Sequence, residues 1–330
     1  IQGLLSAGIN VIDLGSVTTG ALYYSVYYYK ADAGVMITAS HNPKEYGGVK
    51  FLLGFESPTK KQLMEIKEIV IEGEFNQGEG SLVNKDVLTA YKDMLKDNLE
   101  ADQLKGLKII VDSGNGAAQR LPIDVFQGRG AEVIGLRTIP DGEFPTHKDN
   151  SPEPGNIDNL GLLISSVKEN QADFGISYDG DGDRAVFVDN KGNSVPGDIL
   201  LVLLSKAVLQ QNKGASIVFE GKCSKVVEEE IEALGGVAYR WKTGYSNIKQ
   251  KMNEVGAVFG GEMSGHYFYS DYFKFDDGIY ISVKIAQILS NARAQGLTFE
   301  DLVSQIPQYP TMPEMRLKIT GEKNDEAKDT

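Results

Sequence analysis

Two short polar loops hold the side chains best suited to chemistry: Thr38-Ala39-Ser40-His41-Asn42-Pro43, and Tyr178-Asp179-Gly180-Asp181-Gly182-Asp183-Arg184. Ser40 is a candidate covalent nucleophile. A serine hydroxyl does that work only when something takes its proton or when it carries a group ready for transfer. His41 beside it and Lys50 ten residues on are the candidate helpers. Ser, Asn and Pro are also ordinary turn residues, so the hexapeptide alone leaves a plain turn as an equal reading.

The acidic loop is more demanding. Two like charges about 4 Å apart repel by roughly 4 kcal/mol at an effective dielectric of ~20, so three ionised carboxylates on one tight turn call for a cation. All-oxygen ligation points to a hard ion, Mg²⁺ or Ca²⁺. A helix-loop-helix calcium site would need glycine at its sixth position and glutamate at its twelfth. Counting from Asp179, those positions hold Arg184 and Asn190. A solvated acidic turn is the other reading, disfavoured by the strand-forming residues on either side.

These loops need elements to hold them. Residues 34–37 read as a buried strand and 47–52 as another, with strands also at 173–177 and 185–188. Open α/β sheets place their chemistry at such strand ends. Strand-like runs such as 9–14 alternate with helix-like runs such as 59–72, the pattern of layered α/β structure. A helix is expected over 82–99, leading into a strand at 107–111. The turn at 189–193 signals a boundary, followed by a helix over 199–210 and a strand at 217–219. The tyrosine-rich run 23–29 reads as a helix packed within the first unit rather than a stacking surface. Asp112-Ser113-Gly114-Asn115-Gly116-Ala117 lacks the lysine of a P-loop and the third glycine of a dinucleotide fingerprint.

At 330 residues the chain suits two to three domains. No apolar run approaches the ~20 residues that span a bilayer. The formal net charge of −13 disfavours nonspecific nucleic-acid binding, which needs clustered Lys and Arg. One cysteine, Cys223, cannot form an internal disulfide and reads as a small buried residue. No signal peptide opens the sequence, and a cytoplasmic setting is the simplest expectation.

Taken together, the Ser40 and Asp179–Arg184 loops resemble the phosphohexomutase family, the phosphoglucomutase/phosphomannomutase group. Asp112–Ala117, Lys242-Thr243-Gly244 and Gly261-Glu262-Met263-Ser264-Gly265-His266 match the family in the same order, so the resemblance covers nearly the whole chain. It implies an α/β fold of three consecutive domains with mixed sheets, similar to domains 1–3 of the family's four. The divisions expected are 1–80, 81–192 and 193–306, with 307–330 as a linker and domain 4 remnant. The family's early arginine-containing segment and its domain 4 phosphate-gripping loop find no match, so the chain resembles an internal fragment.

The resemblance also implies roles. Phosphorylated Ser40 with Asp179, Asp181 and Asp183 would bind Mg²⁺. Arg184 would contact the phosphoserine, its alternative being a surface ion pair. Lys50 would serve proton transfer or charge stabilisation, with a plain strand-edge lysine as the equal alternative. His266 would be a general acid/base, since imidazole titrates near neutrality, while His41 orders the loop. Glu262 and Ser264 would read sugar hydroxyls, and Lys222, Lys242, Thr243, Gly244 and Tyr245 would line the substrate cleft. Tyr245 stands where the family often has histidine; it can donate a hydrogen bond but carries no positive charge. The implied activity interconverts hexose 1-phosphate and hexose 6-phosphate of glucose or mannose, with glucose 1,6-bisphosphate as activator. Met263 fits that branch, whereas the phosphoglucosamine branch usually has glutamine there. Phosphoglucosamine mutase is the enzymatic alternative, and a catalytically weak sugar-phosphate-binding fragment the other.

Overall fold

A computed structural model describes residues 1–310. Most of the stretch expected to be a linker and domain 4 remnant lies outside the described residues. The first unit runs α1 (Gln2–Ser6), β1 (Val11–Asp13), α2 (Thr19–Tyr29), β2 (Ala33–Ile37), β3 (Val49–Leu53), α3 (Lys60–Glu72) and β4 (Leu82–Asn84). The chain starts α2 where the Thr18 side chain accepts from the Ala21 N–H, and starts α3 with a reciprocal Thr59/Gln62 capping box. β1 pairs in parallel with β4, while β2 and β3 form an antiparallel hairpin from Ala33↔Leu53 to Ile37↔Val49.

Two expectations need correcting here. The strand at 34–37 exists but is not buried: Gly34 packs under α2 against Val26, whereas Ile37 is 75% exposed. A two-stranded ribbon covered on one face buries only alternate residues. The expected helix over 82–99 is instead β4 followed by a shorter helix, α4 (Leu88–Lys96). The Asp86 carboxylate accepts from the Leu88 N–H and the Thr89 hydroxyl, which sets the helix start.

The second unit continues with β5 (Lys108–Asp112), α5 (Leu121–Gln127), β6 (Glu132–Leu136), α6 (Ile157–Asn170), β7 (Phe174–Tyr178), β8 (Ala185–Asp189) and β9 (Ser194–Val195). Its sheet has the order β6-β5-β7-β8-β9, parallel through β7 and antiparallel beyond it. The turn at 189–193 is therefore a hairpin inside this sheet, held by Asp189 Oδ1 accepting from the Lys191 and Asn193 N–H groups.

The third unit holds α7 (Gly197–Gln211), β10 (Ser216–Glu220), α8 (Lys225–Ala233), β11 (Val237–Trp241), α9 (Tyr245–Val255), β12 (Phe259–Gly261), β13 (Tyr267–Tyr269), α10 (Gly278–Arg293) and α11 (Phe299–Ser304). Its sheet has the order β11-β10-β12-β13, with only β13 antiparallel. One continuous apolar core joins Val17 and Tyr23 of the first unit to Tyr91, Phe174 and Phe187 of the second and Phe259 and Phe275 of the third. Asp277 reinforces that junction, accepting from the Tyr91 and Tyr272 hydroxyls while capping α10. The strand-end loops of all three units are thus held against one another.

Candidate active site

The acidic loop links the end of β7 to the start of β8, and glycine gives it its shape. Gly182 takes the left-handed φ of 72°, and a Cβ on Gly180 would stand 2.4 Å from the Ser40 carbonyl oxygen. Asp179, Asp181 and Asp183 are all buried, and each offers a carboxylate oxygen within 4.8 Å of the others. Burial, followed by the neighbouring carboxylates, raises the pKa of Asp181 and of Asp183. Asp181 Oδ1 and Asp183 Oδ1 have no hydrogen-bond partner. A buried, all-oxygen set with two unpartnered atoms fits a hard divalent cation.

Ser40 caps the β2–β3 hairpin and touches this set. Its φ of 55° is a left-handed conformation uncommon for serine, steadied by its N–H donating to Thr38 Oγ1 at 2.8 Å. Its hydroxyl donates to Asp179 Oδ2 at 2.9 Å and lies 3.2 Å from His41 Nδ1. His41 in turn is 3.5 Å from Glu153, and its carbonyl accepts from the Ser151 hydroxyl. Arg184 is buried, so the surface ion-pair alternative does not describe it. Its Nε donates to Asp179 Oδ2 at 3.1 Å and its Nη1 meets Glu153 at 3.4 Å. Lys50 Nζ donates to Asp181 Oδ2 at 2.7 Å and to Asp183 Oδ2 rather than to Ser40. Burial pulls its pKa down, but Asp183 and Asp181 outweigh that and raise it overall.

The third unit supplies the opposite wall. Glu262, at the end of β12, accepts the Gly244 N–H at 2.6 Å through Oε1, and its Oε2 lies 3.3 Å from the Ser264 hydroxyl. This clasp joins the 242–245 segment to the 262–266 loop. Gly244 has φ 115°, a conformation that other residues rarely adopt. Lys222 follows β10, Lys242 and Thr243 follow β11, and Tyr245 opens α9; all four are exposed.

His266 Nδ1 lies 3.0 Å from Asp276 Oδ2, off the line of a well-formed hydrogen bond. Burial alone would lower its pKa, but Asp276 and Asp183 outweigh it and carry it up to about 9. The imidazole is therefore protonated at neutral pH. A raised folded-state pKa adds stability that is complete below the unfolded value of about 6.5 and is lost as pH rises through about 9. Thermal melts of EDTA-treated protein should accordingly fall between these pH values. His266→Gln should flatten the decline, and equal slopes in both proteins would remove this pair from the account.

Four site residues were missed by sequence reasoning. Thr19, at the start of α2, donates to Asp181 Oδ2 at 2.8 Å; Glu153 joins His41 to Arg184; Asp276 meets His266. Glu220 accepts the Met263 N–H at 2.6 Å and so supports the 262–266 loop. Only Glu153, bracketed by prolines in a loop, carried a local signal.

Comparison with known proteins places this geometry in context. The profiles described as phosphoglucomutase/phosphomannomutase, alpha/beta/alpha domains I, II and III match residues 1–77, 89–192 and 196–309. The phosphomannomutase/phosphoglucomutase of Pseudomonas syringae pv. tomato is 40% identical over 321 residues, covering 97% of this chain and 67% of the relative. The chain belongs to the phosphoglucomutase/phosphomannomutase family. A crystal structure of a family protein from Burkholderia thailandensis superposes with a TM-score of 0.87 at 32% identity, covering 94% of this chain and 68% of the other. An N-acetylphosphoglucosamine mutase from Aspergillus fumigatus, solved with glucose 1,6-bisphosphate, shares the fold at TM-score 0.59 and 14% identity, covering 86% and 75%. The three α/β units and the class of chemistry, phosphoryl transfer within a hexose phosphate, follow from family membership. Among the described residues no helix is long and apolar enough to cross a membrane.

Proposed function

We propose that phospho-Ser40 donates its phosphoryl group to the free hydroxyl of a hexose monophosphate and recovers a phosphoryl group from the other end of the resulting 1,6-bisphosphate. The observation that carries this reading is the Ser40 hydroxyl 2.9 Å from Asp179, one of three clustered buried carboxylates. In the forward half the Oγ–P bond breaks as a sugar O–P bond forms; the sugar hydroxyl gives up its proton and Ser40 Oγ takes one up. In the return half Ser40 Oγ loses its proton and the released sugar oxygen gains one. His266, with its Nδ1 3.0 Å from Asp276 Oδ2, suits that donation.

Asp179, Asp181, Asp183 and the phosphoryl oxygens of Ser40 would hold Mg²⁺. The ion would polarise the phosphoryl group and offset charge in the transition state. Arg184 fixes Asp179 and stands ready for the phosphoryl group as a charged donor. Glucose and mannose phosphates are the substrates proposed, with glucose 1,6-bisphosphate as activator and a cytoplasmic setting; phosphoglucosamine mutase is the alternative. The division of labour proposed is nucleophile in 1–80, metal in 81–192 and sugar reading in 193–306.

Glu262, clasped to Gly244 and Ser264, would read the sugar hydroxyls, with Lys222, Lys242, Thr243 and Tyr245 beside it. Glu262→Gln keeps the volume but removes the charge, so KM for glucose 1-phosphate should rise by about tenfold, the equivalent of ~1.4 kcal/mol. The melting temperature should move little. A coupled assay of glucose 1-phosphate to glucose 6-phosphate tests the whole reading, run against mannose 1-phosphate and glucosamine 1-phosphate. Turnover of glucosamine 1-phosphate alone would overturn the sugar assignment.

A further inference from the structure

Lys50 belongs to the first unit, on β3 opposite Met36, yet its ammonium is paired with carboxylates of the second unit. Nζ donates to Asp181 Oδ2 at 2.7 Å and to Asp183 Oδ2, while the other oxygen of each carboxylate has no partner. Asp179 is engaged differently, by Ser40 and Arg184. The ammonium thus sits against the two carboxylates that Arg184 does not bond, with His266 also close to Asp183. A side chain attached to the hairpin that carries Ser40 supplies the positive charge this cluster requires.

We propose that Lys50 is a tethered counter-cation, displaced from Asp181 and Asp183 when a divalent ion binds and thereby freed to face the phosphoryl group on Ser40. This rests on the metal reading above. The unpartnered Oδ1 atoms offered to the ion belong to the same two carboxylates whose Oδ2 atoms hold the ammonium, and a single and a double positive charge about 4 Å apart repel by roughly 8 kcal/mol at an effective dielectric of ~20, so the two cations compete for the cluster. The displaced ammonium has a destination within the same hairpin. A phosphoryl group on Ser40 brings about −1.5 to −2 charge beside Asp179, where a nearby cation is stabilising. Metal binding and charge support of the transferring group become one linked event: metal affinity is lowered by the ammonium it must expel, and no lysine is freed until the metal arrives.

Lysine reactivity reads this directly in the unaltered protein. EDTA-treated chain is reductively methylated with and without saturating Mg²⁺, and Lys50 and Lys249 are followed by peptide mass spectrometry, with calorimetry recording Mg²⁺ binding in parallel. Lys249 is a buried lysine whose Nζ donates to Ser57 at 3.0 Å, away from the three carboxylates. Mg²⁺ should speed Lys50 methylation by about tenfold and leave Lys249 unchanged. Lys50→Met and, should that variant fail to fold, Lys50→Gln should bind Mg²⁺ about tenfold more tightly than wild type. Heat of Mg²⁺ binding with unchanged Lys50 reactivity would overturn the counter-cation role while leaving the metal site standing. No Mg²⁺ binding at all would overturn both.

Discussion

Ser40→Ala is expected to lower kcat by about 10⁴-fold or more, because removing a covalent carrier abolishes the route itself rather than one contribution to it. The fold should survive. The lost hydroxyl gives one hydrogen bond to Asp179, whose Oδ2 still accepts from Arg184 Nε, and no core cavity opens because the loop is only part-buried. Alanine bears the left-handed φ of 55° about as well as serine does. A coupled glucose 1-phosphate assay, a thermal melt and the intact mass answer together: turnover gone, melting temperature within about 2 °C of wild type, and no phosphoryl increment on the variant. Turnover above roughly a hundredth of wild type would show that Ser40 is not the carrier.

What the sequence made legible follows from how local each feature is. The acidic loop is seven consecutive residues between two strongly apolar strands, so both its chemistry and its placement at a strand end can be read from one segment. Ser40 was readable only in company, since its loop composition is that of any turn. The pairings were not readable. Lys50 reaches Asp183 across 133 residues and Thr19 reaches Asp181 across 162, and nothing in the pattern of either segment encodes its partner. Asp276 was hidden differently: it adjoins Asp277, whose capping of α10 is sufficient reason for an acidic pair at that point.

Short and thinly covered elements were the other source of error. β4 has three residues, too few to show a period of two, and next to a good helix it reads as the helix's first turn. Asp86, whose carboxylate accepts from the Leu88 N–H and the Thr89 hydroxyl between them, was the available clue. Burial in the first unit was overestimated because an apolar run such as Val35-Met36-Ile37 gives no sign of how many layers will cover it. A five-stranded sheet with helices on it buries every residue of β7, while the two-stranded ribbon leaves alternate residues of β2 exposed.

The acidic cluster separates a metal site from a buried structural turn through Asp181→Asn. The substitution keeps shape and an acceptor for the Thr19 hydroxyl, and Lys50 keeps Asp183, so the local structure has what it needs to persist. It removes one of three buried negative charges. Without metal, the variant should be at least as stable as wild type, because burial and its neighbours already make the Asp181 carboxylate costly to ionise. With metal the order reverses. An ion at about 100 times its Kd stabilises the folded chain by about 2.7 kcal/mol, a melting shift of roughly 5 °C for a chain of this size. Asp181→Asn should lose most of that shift and, with several kcal/mol of charge stabilisation gone, about 10³-fold in turnover. Asp189→Asn is the matching control, a buried carboxylate that only braces the next hairpin and should retain the Mg²⁺ shift. If Asp181→Asn responds to Mg²⁺ as wild type does, the three carboxylates are structural and the ion belongs elsewhere.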